Sequence, residues 1–204
     1  MATEVVGGGA GAAACAGRWP RLFLKVESDA HAHKTELGLI EGPLTAAEVP
    51  AAYERLAAAR AAAGAGDAPI VAQPAVPGVE LALGAYLDPS FGPVVMVASG
   101  GIFTEILRDA QVAPAPVTEA RAEAMIQRLR GAPLLRGARG RPPADVAAAA
   151  RAVAALSRFI AEADGAYTAV DVNPLMVTAD GAFAVDAVLY PAAERPAGEE
   201  VEVR

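Results

Sequence analysis

Residues 168–190, TAVDVNPLMVTADGAFAVDAVLY, restrict the fold more than any other stretch. Two apolar, β-branched runs flank an Asp-Gly pair, the sequence signature of a tight antiparallel hairpin. Such a hairpin argues against an all-parallel sheet and directs the chain to an α+β architecture with mixed or antiparallel sheets flanked by helices. If Asp180 and Gly181 form a two-residue turn, Leu175 faces Asp186 and Asn173 faces Val188. Directly opposed residues share a face, so Asp171, Asn173 and Asp186 gather on one side, with Asn173 and Asp186 as diagonal neighbours. Val172, Pro174, Met176, Phe183, Val185, Ala187 and Leu189 then form an unbroken apolar side. A buried carboxylate without a partner is costly, so the polar side is expected to meet water, a cation or a donor. Two carboxylates and an amide suit Mg²⁺, a hard ion that takes one or two protein carboxylates plus phosphate oxygens and waters. A solvent-facing hairpin edge is the alternative that geometry alone leaves open.

The rest of the chain supplies the partners such a hairpin needs. RLFLKVE (21–27) reads as a strand and SDAHAHKTELG (28–38) as a loop. Residues 45–64 read as a helix, with Thr45 and Glu48 in capping-box spacing and Gly64 at its end. Residues 69–88 give a strand, a Pro-Gly hinge and a second strand, and GPVVMVAS (92–99) a third. Helices are expected from Thr118 to Gly131 and over 143–165, where Val146, Val153, Leu156 and Ile160 share a face. Residues 1–17 are so rich in Gly and Ala that they are expected to form a flexible tail, and residues 191–204 a loose acidic one.

Composition excludes several functions. A net charge of −7 argues against a nucleic-acid surface, which needs a basic stripe. Hydrophobic residues make up 54% of the chain, yet no run approaches the roughly 18 uninterrupted apolar residues of a membrane span. The single cysteine, Cys15, rules out an internal disulfide framework and fits a reducing cytoplasm. Glu4 stands where a secretory signal would carry basic residues. Arg130, Arg136, Arg139 and Arg141 crowd a Gly- and Pro-rich loop, which reads equally as a solvated loop or as an anion or partner contact.

Gly100-Gly101 follows a strand, where free backbone N–H groups can approach an anion, although a plain tight turn needs the same residues. Taken with its surroundings the pair is more specific. GPVVMVASGGIFTEILRD, LLRGARGRPPADV and VDVNPLMV…FAVDA, in this order and spacing, resemble the ATP-grasp domain of the nucleoside-diphosphate-forming acyl-CoA synthetases, over roughly residues 18–190. That family includes the β subunit of ADP-forming acetyl-CoA synthetase and is related to the succinyl-CoA synthetase β subunit. The resemblance implies an ATP-grasp fold with a first lobe over 18–75, shortened at its N terminus, and a second over 76–190.

It also implies roles for matched residues. Lys25 would hold ATP phosphates as a mobile point charge. The backbone at Pro74, Ala75 and Val76 would meet adenine, and Glu80 the ribose hydroxyls. Gly100 and Gly101 would form the phosphate-proximal loop. Asn173 and Asp186 would ligate Mg²⁺, with Asp171 beside the transferring phosphoryl group. His33 in HKTELG would relay that group between a partner phosphohistidine and ADP/ATP, chemistry suited to imidazole; His31 has no such counterpart. The partner implied is an α-type subunit that binds CoA and carries the ligase chemistry. The shortened first lobe and two departures, Gly38-Leu39 in place of a glycine pair and AQVAPAP in place of an arginine after Arg108-Asp109, imply an alternative: a degenerate ATP-grasp module that binds nucleotide, or only a partner, in a regulatory or structural role without catalysis.

Overall fold

A computed structural model of the chain describes residues 2–28, 37–101, 109–137 and 142–192. The backbone divides into two units, Met1–Val76 and Pro77–Arg204.

In the first unit, β1 (Glu4–Val5), β2 (Leu22–Val26), β3 (Ile40–Leu44) and β4 (Ile70–Pro74) form an antiparallel sheet in the order β1-β4-β2-β3. Alternation puts Leu22, Leu24 and Val26 on one face, where Ile70 and Ala72 of β4 join them. Helices α1 (Gly9–Ala16) and α2 (Val49–Ala62) cover that face, inserting Ala12, Cys15, Val49, Ala52 and Leu56. Only half of the expected Thr45–Glu48 capping box forms: the Glu48 carboxylate accepts from the Thr45 N–H at 2.8 Å and its O–H at 2.7 Å, while the Glu48 N–H donates to the Thr45 carbonyl and not to its side chain. The helix proper begins one turn later, with Pro50 tolerated in its first turn.

The flexible tail expected over residues 1–17 is not what forms. Glu4 and Val5 pair with Ala72 and Val71, and Ala12 and Cys15 are fully or almost fully buried. The low helix propensity of glycine misleads here because packing, not propensity, supplies most helical stability in proteins. A helix made of Gly, Ala and Cys can lie close against its neighbours, so its small side chains help to bury those of α2 and β2.

In the second unit, β5 (Val79–Asp88), β6 (Gly92–Ser99), β7 (Ala110–Pro114), β8 (Tyr167–Thr178), β9 (Gly181–Ala184) and β10 (Ala187–Pro191) form a sheet in the order β10-β8-β5-β6-β7, with β9 also on β8. Helices α3 (Glu119–Gln127), α4 (Ala132–Leu135) and α5 (Val146–Glu162) contribute to one core with the inward residues of the sheet. Thr118 caps α3 by accepting from the Arg121 N–H, and Asp145 caps α5 by accepting from the Ala148 N–H at 2.8 Å. Val153 and Ile160 of α5 are buried, with Val146 and Leu156 half-buried beside them. No described helix is long and apolar enough to cross a membrane.

The hairpin differs from its expected register in two ways. Thr178 pairs with Gly181, so the turn residues are Ala179 and Asp180, not Asp180 and Gly181. Leu175 consequently pairs with Ala184 and Asp171 with Val188, while the Asn173 N–H donates to the Asp186 carbonyl at 3.2 Å. The second difference is a bulge: from Leu81 to Leu83 β5 advances two residues while its partners on β8 run from Leu175 to Val172, three residues. The extra residue at Asn173-Pro174 switches which side faces the core. Val170 and Val172 point inward before it and Leu175 and Val177 after it, so the unbroken apolar side expected through Val172, Pro174 and Met176 does not exist. Met176 instead lies opposite Glu80, on the face away from the core.

Candidate functional site

Asp171 lies opposite Gly84, and the core-facing residues of β5 are Leu81, Leu83 and Ala85, so the Asp171 side chain leaves the sheet on the other face. Alternation from Val172 sends Asn173 to the same side, where it is exposed. Asp186 stands directly across from Asn173 rather than diagonally, and the Asp186 carboxylate accepts from the Ala187 N–H at 3.0 Å. The bulge thus does what a regular strand cannot: it keeps Asp171 and Asn173 off the core while Leu175 and Val177 just beyond them stay in it.

Two carboxylates in this space oppose one another. Burial, and secondly the charge of Asp186, raise the Asp171 carboxyl above its ordinary range. For an acid raised in the folded state, the unfolded chain ionises first as pH rises. The pair therefore costs stability above the folded pKa of Asp171, and acid or a bound cation relieves that cost. No group of three or more His, Cys, Asp or Glu side chains poised for a metal occurs among the described residues. The oxygen set of Asp171, Asn173 and Asp186, with its excess negative charge, nevertheless fits a hard divalent ion that completes its shell with water or phosphate. Asp186→Asn is expected to lower the Asp171 pKa, read from carboxyl carbon shifts across a pH titration; an unmoved midpoint would show that the two charges do not sense each other.

Glu80 and the Gly100-Gly101 turn form a second group on this unit. The Gly100 N–H donates to the Glu80 carbonyl at 2.8 Å. A Cβ on Gly100 would come 2.7 Å from Glu80 Cβ, and one on Gly101, which has φ +69°, 3.0 Å from Glu80 Oε2. Backbone and acid approach each other here more closely than any side chain allows. Sequence reasoning named all three residues but not the pair behind them. Ser99 Oγ donates to the buried carboxylate of Asp109 at 2.5 Å, and the Arg130 and Gly131 N–H groups donate to the same carboxylate at 2.8 and 3.0 Å. Their signal was present: Ser99 and Asp109 bracket the glycine segment SGGIFTEILRD.

In the first unit, Lys25 of β2 is buried at 4% exposure, opposite Val71 of β4 and on the sheet face away from the helices. Gln73 shares that face, and the strand ends at Pro74, after which the Ala75 N–H donates to the Arg21 carbonyl at 2.9 Å. Pro74, Ala75 and Val76 are half-buried. His33 and His31 lie outside the described residues, as do Arg139 and Arg141.

An α+β chain with two antiparallel sheets, a buried strand lysine, a glycine turn and an oxygen-donor set defines a recognisable class. The chain belongs to the ATP-grasp domain family, whose pattern matches residues 2–190. It is 39% identical over 110 residues to the β subunit of acetate–CoA ligase [ADP-forming] I from Pyrococcus furiosus, covering 54% of this chain and 47% of that one. Two solved structures of the dinucleotide forming acetyl-coenzyme A synthetase 1 of Ca. Korarchaeum cryptofilum are similar at 30% identity. One, with coenzyme A, Ca-AMPCP and HgCl⁺, has a TM-score of 0.80 and covers 93% of this chain and 85% of its own. The other, with coenzyme A and Mg-AMPPCP and a phosphohistidine segment pointing towards the nucleotide binding site, has a TM-score of 0.74 and covers 94% and 84%. The chain spans about half the length of the first two curated relatives it matches, 47% and 48%.

Proposed function

We propose that this chain is the nucleotide-binding subunit of an ADP-forming acyl-CoA synthetase, moving a phosphoryl group between ADP/ATP and a phosphohistidine on an α-type partner that binds CoA. The observation that carries this reading is the joint placement of Asp171, Asn173 and Asp186 at the β8 bulge, an oxygen-rich group whose negative charge calls for a cation. Its support includes relatives that are β subunits and a neighbour solved with Mg-AMPPCP and a phosphohistidine segment pointing towards its nucleotide binding site.

In this reading Asn173 and Asp186 hold Mg²⁺, with Asp171 beside the phosphoryl group in transit. The ion, when bound, neutralises charge on the phosphate oxygens. Lys25 adds a positive charge for the same phosphates, and the Gly100-Gly101 backbone offers N–H dipoles that need no reorganisation during transfer. Pro74, Ala75 and Val76 receive adenine and Glu80 the ribose. His33 relays the phosphoryl group: the P–N bond to the partner histidine breaks as one to His33 forms, and that bond breaks as a terminal oxygen of ADP takes the group. Positioning and charge do most of the work in such transfers, so each residue acts by where it holds the phosphate rather than by covalent chemistry of its own, His33 excepted.

Calorimetric titration with Mg·ADP and Mg·ATP tests this. The wild-type chain is expected to bind both, and Asn173→Ala combined with Asp186→Ala to weaken them by about 100-fold, roughly 2.7 kcal/mol. A wild type that ignores both nucleotides would sink the proposal; binding undiminished in the double variant would remove the metal assignment alone.

A further inference from the structure

Asp109 is the most fully buried carboxylate among the described residues, 6% exposed, and the phosphoryl-transfer reading gives it no part. Such a group is retained only where it is fully hydrogen-bonded. Its donors are the Ser99 O–H and two successive N–H groups, those of Arg130 and Gly131. Ser99 and Asp109 are joined a second time through the backbone, where the Ser99 N–H donates to the Asp109 carbonyl at 3.0 Å. The next residue after Ser99 is Gly100, itself tied to Glu80. A Cβ on Gly131 would collide with Ser99 Oγ and lie 3.7 Å from Asp109 Oδ2, so the contact is one that only glycine permits. One carboxylate therefore binds the strand end that launches the Gly100-Gly101 turn to a separate stretch of backbone at α4.

We propose that Asp109 is a positioning residue for nucleotide phosphates: through Ser99 and the Arg130-Gly131 backbone it holds the Gly100-Gly101 turn where it meets the polyphosphate. This rests on the nucleotide-binding reading above. The electrostatics agree with the geometry. Burial pushes the Asp109 carboxyl up, but the hydrogen bonds from Ser99, Arg130 and Gly131 and the charge of Arg130 outweigh it and hold the group below its ordinary range. An ionised carboxylate only accepts, so the Ser99 proton is committed to Asp109. An amide in its place would turn an N–H₂ towards at least one of these donors and force the backbone apart.

The test compares ligands that do and do not use the turn. In the 204-residue chain, Asp109→Asn is expected to weaken Mg·ADP by about tenfold while adenine, which has neither phosphate nor ribose, changes by less than about twofold. Ser99→Ala, which deletes one hydrogen bond and no charge, is expected to show the same selectivity at about threefold and serves alone if the Asn variant does not fold. Selective loss for Mg·ADP supports the assignment. Unchanged Mg·ADP affinity, or parallel loss for both ligands, would overturn it and reduce Asp109 to a structural role. If wild type binds Mg·ADP and the variants match it, only this inference falls; if wild type does not bind, the nucleotide reading falls with it.

Discussion

Asp109→Ala is expected to lower the unfolding free energy at neutral pH by about 3–5 kcal/mol. The substitution strands three donors, the Ser99 O–H and the N–H groups of Arg130 and Gly131, in a region with little access to water. Each orphaned donor costs about 1–3 kcal/mol, and partial relaxation keeps the total below their sum. The effect carries a pH signature. Because the folded pKa of Asp109 lies below the unfolded value, about 3.9 for Asp, its contribution is fully present above that unfolded value. It is lost as pH falls through the folded pKa. Urea melts at a series of pH values should therefore show a gap between wild type and variant that is widest near neutrality and narrows in acid. Equal midpoints at neutral pH, or a gap that acid leaves untouched, would show that the carboxylate is not held as described.

Deletion of residues 2–17 is expected to have a comparable or larger effect on the first unit, about 5 kcal/mol or more. It removes β1 from its pairing with β4 and takes Val6, Ala12 and Cys15 out of the core. The faces of α2 and β2 they cover would then meet water. Trp19, the only tryptophan, packs against that core and reports on it by fluorescence. A truncated chain whose Trp19 emission is already solvent-exposed, or whose transition shifts to much lower urea, is the expected result. A transition that matches wild type would mean that the alanine-rich helix contributes nothing and that the segment behaves as the loose tail its composition suggests.

That contrast shows where composition misleads. Gly and Ala lack the bulk that marks a core segment in sequence, yet that lack lets α1 lie close to α2, and only the partner surface reveals it. Larger side chains announced themselves: LFLKV, GPVVMVAS and the α5 heptad-like spacing became β2, β6 and α5 with shifts of a few residues at their ends. Short strands such as β3, IEGPL, and β7, AQVAP, were not legible because each holds only a few apolar residues, and their pairing partners made them strands.

The candidate site divides in the same way. Residue chemistry and spacing within the chain were sufficient to single out Asp171, Asn173, Asp186 and the Gly100-Gly101 pair, because charge, amide oxygen and missing Cβ atoms are properties of the residues themselves, whereas Lys25 and Glu80 were named only through the family resemblance. Tertiary structure decided which of them meet. The Ala179-Asp180 turn sets Asp186 directly across from Asn173, and the bulge against β5 at Asn173-Pro174 decides which side of the sheet Asp171 and Asn173 take relative to Leu175 and Val177. It also decided the surroundings of Asp109, a buried carboxylate whose three donors come from Ser99, Arg130 and Gly131. Sequence carries the chemistry of each group; distances between groups far apart in the chain are settled only when apolar faces close on one core and leave polar atoms to find partners there.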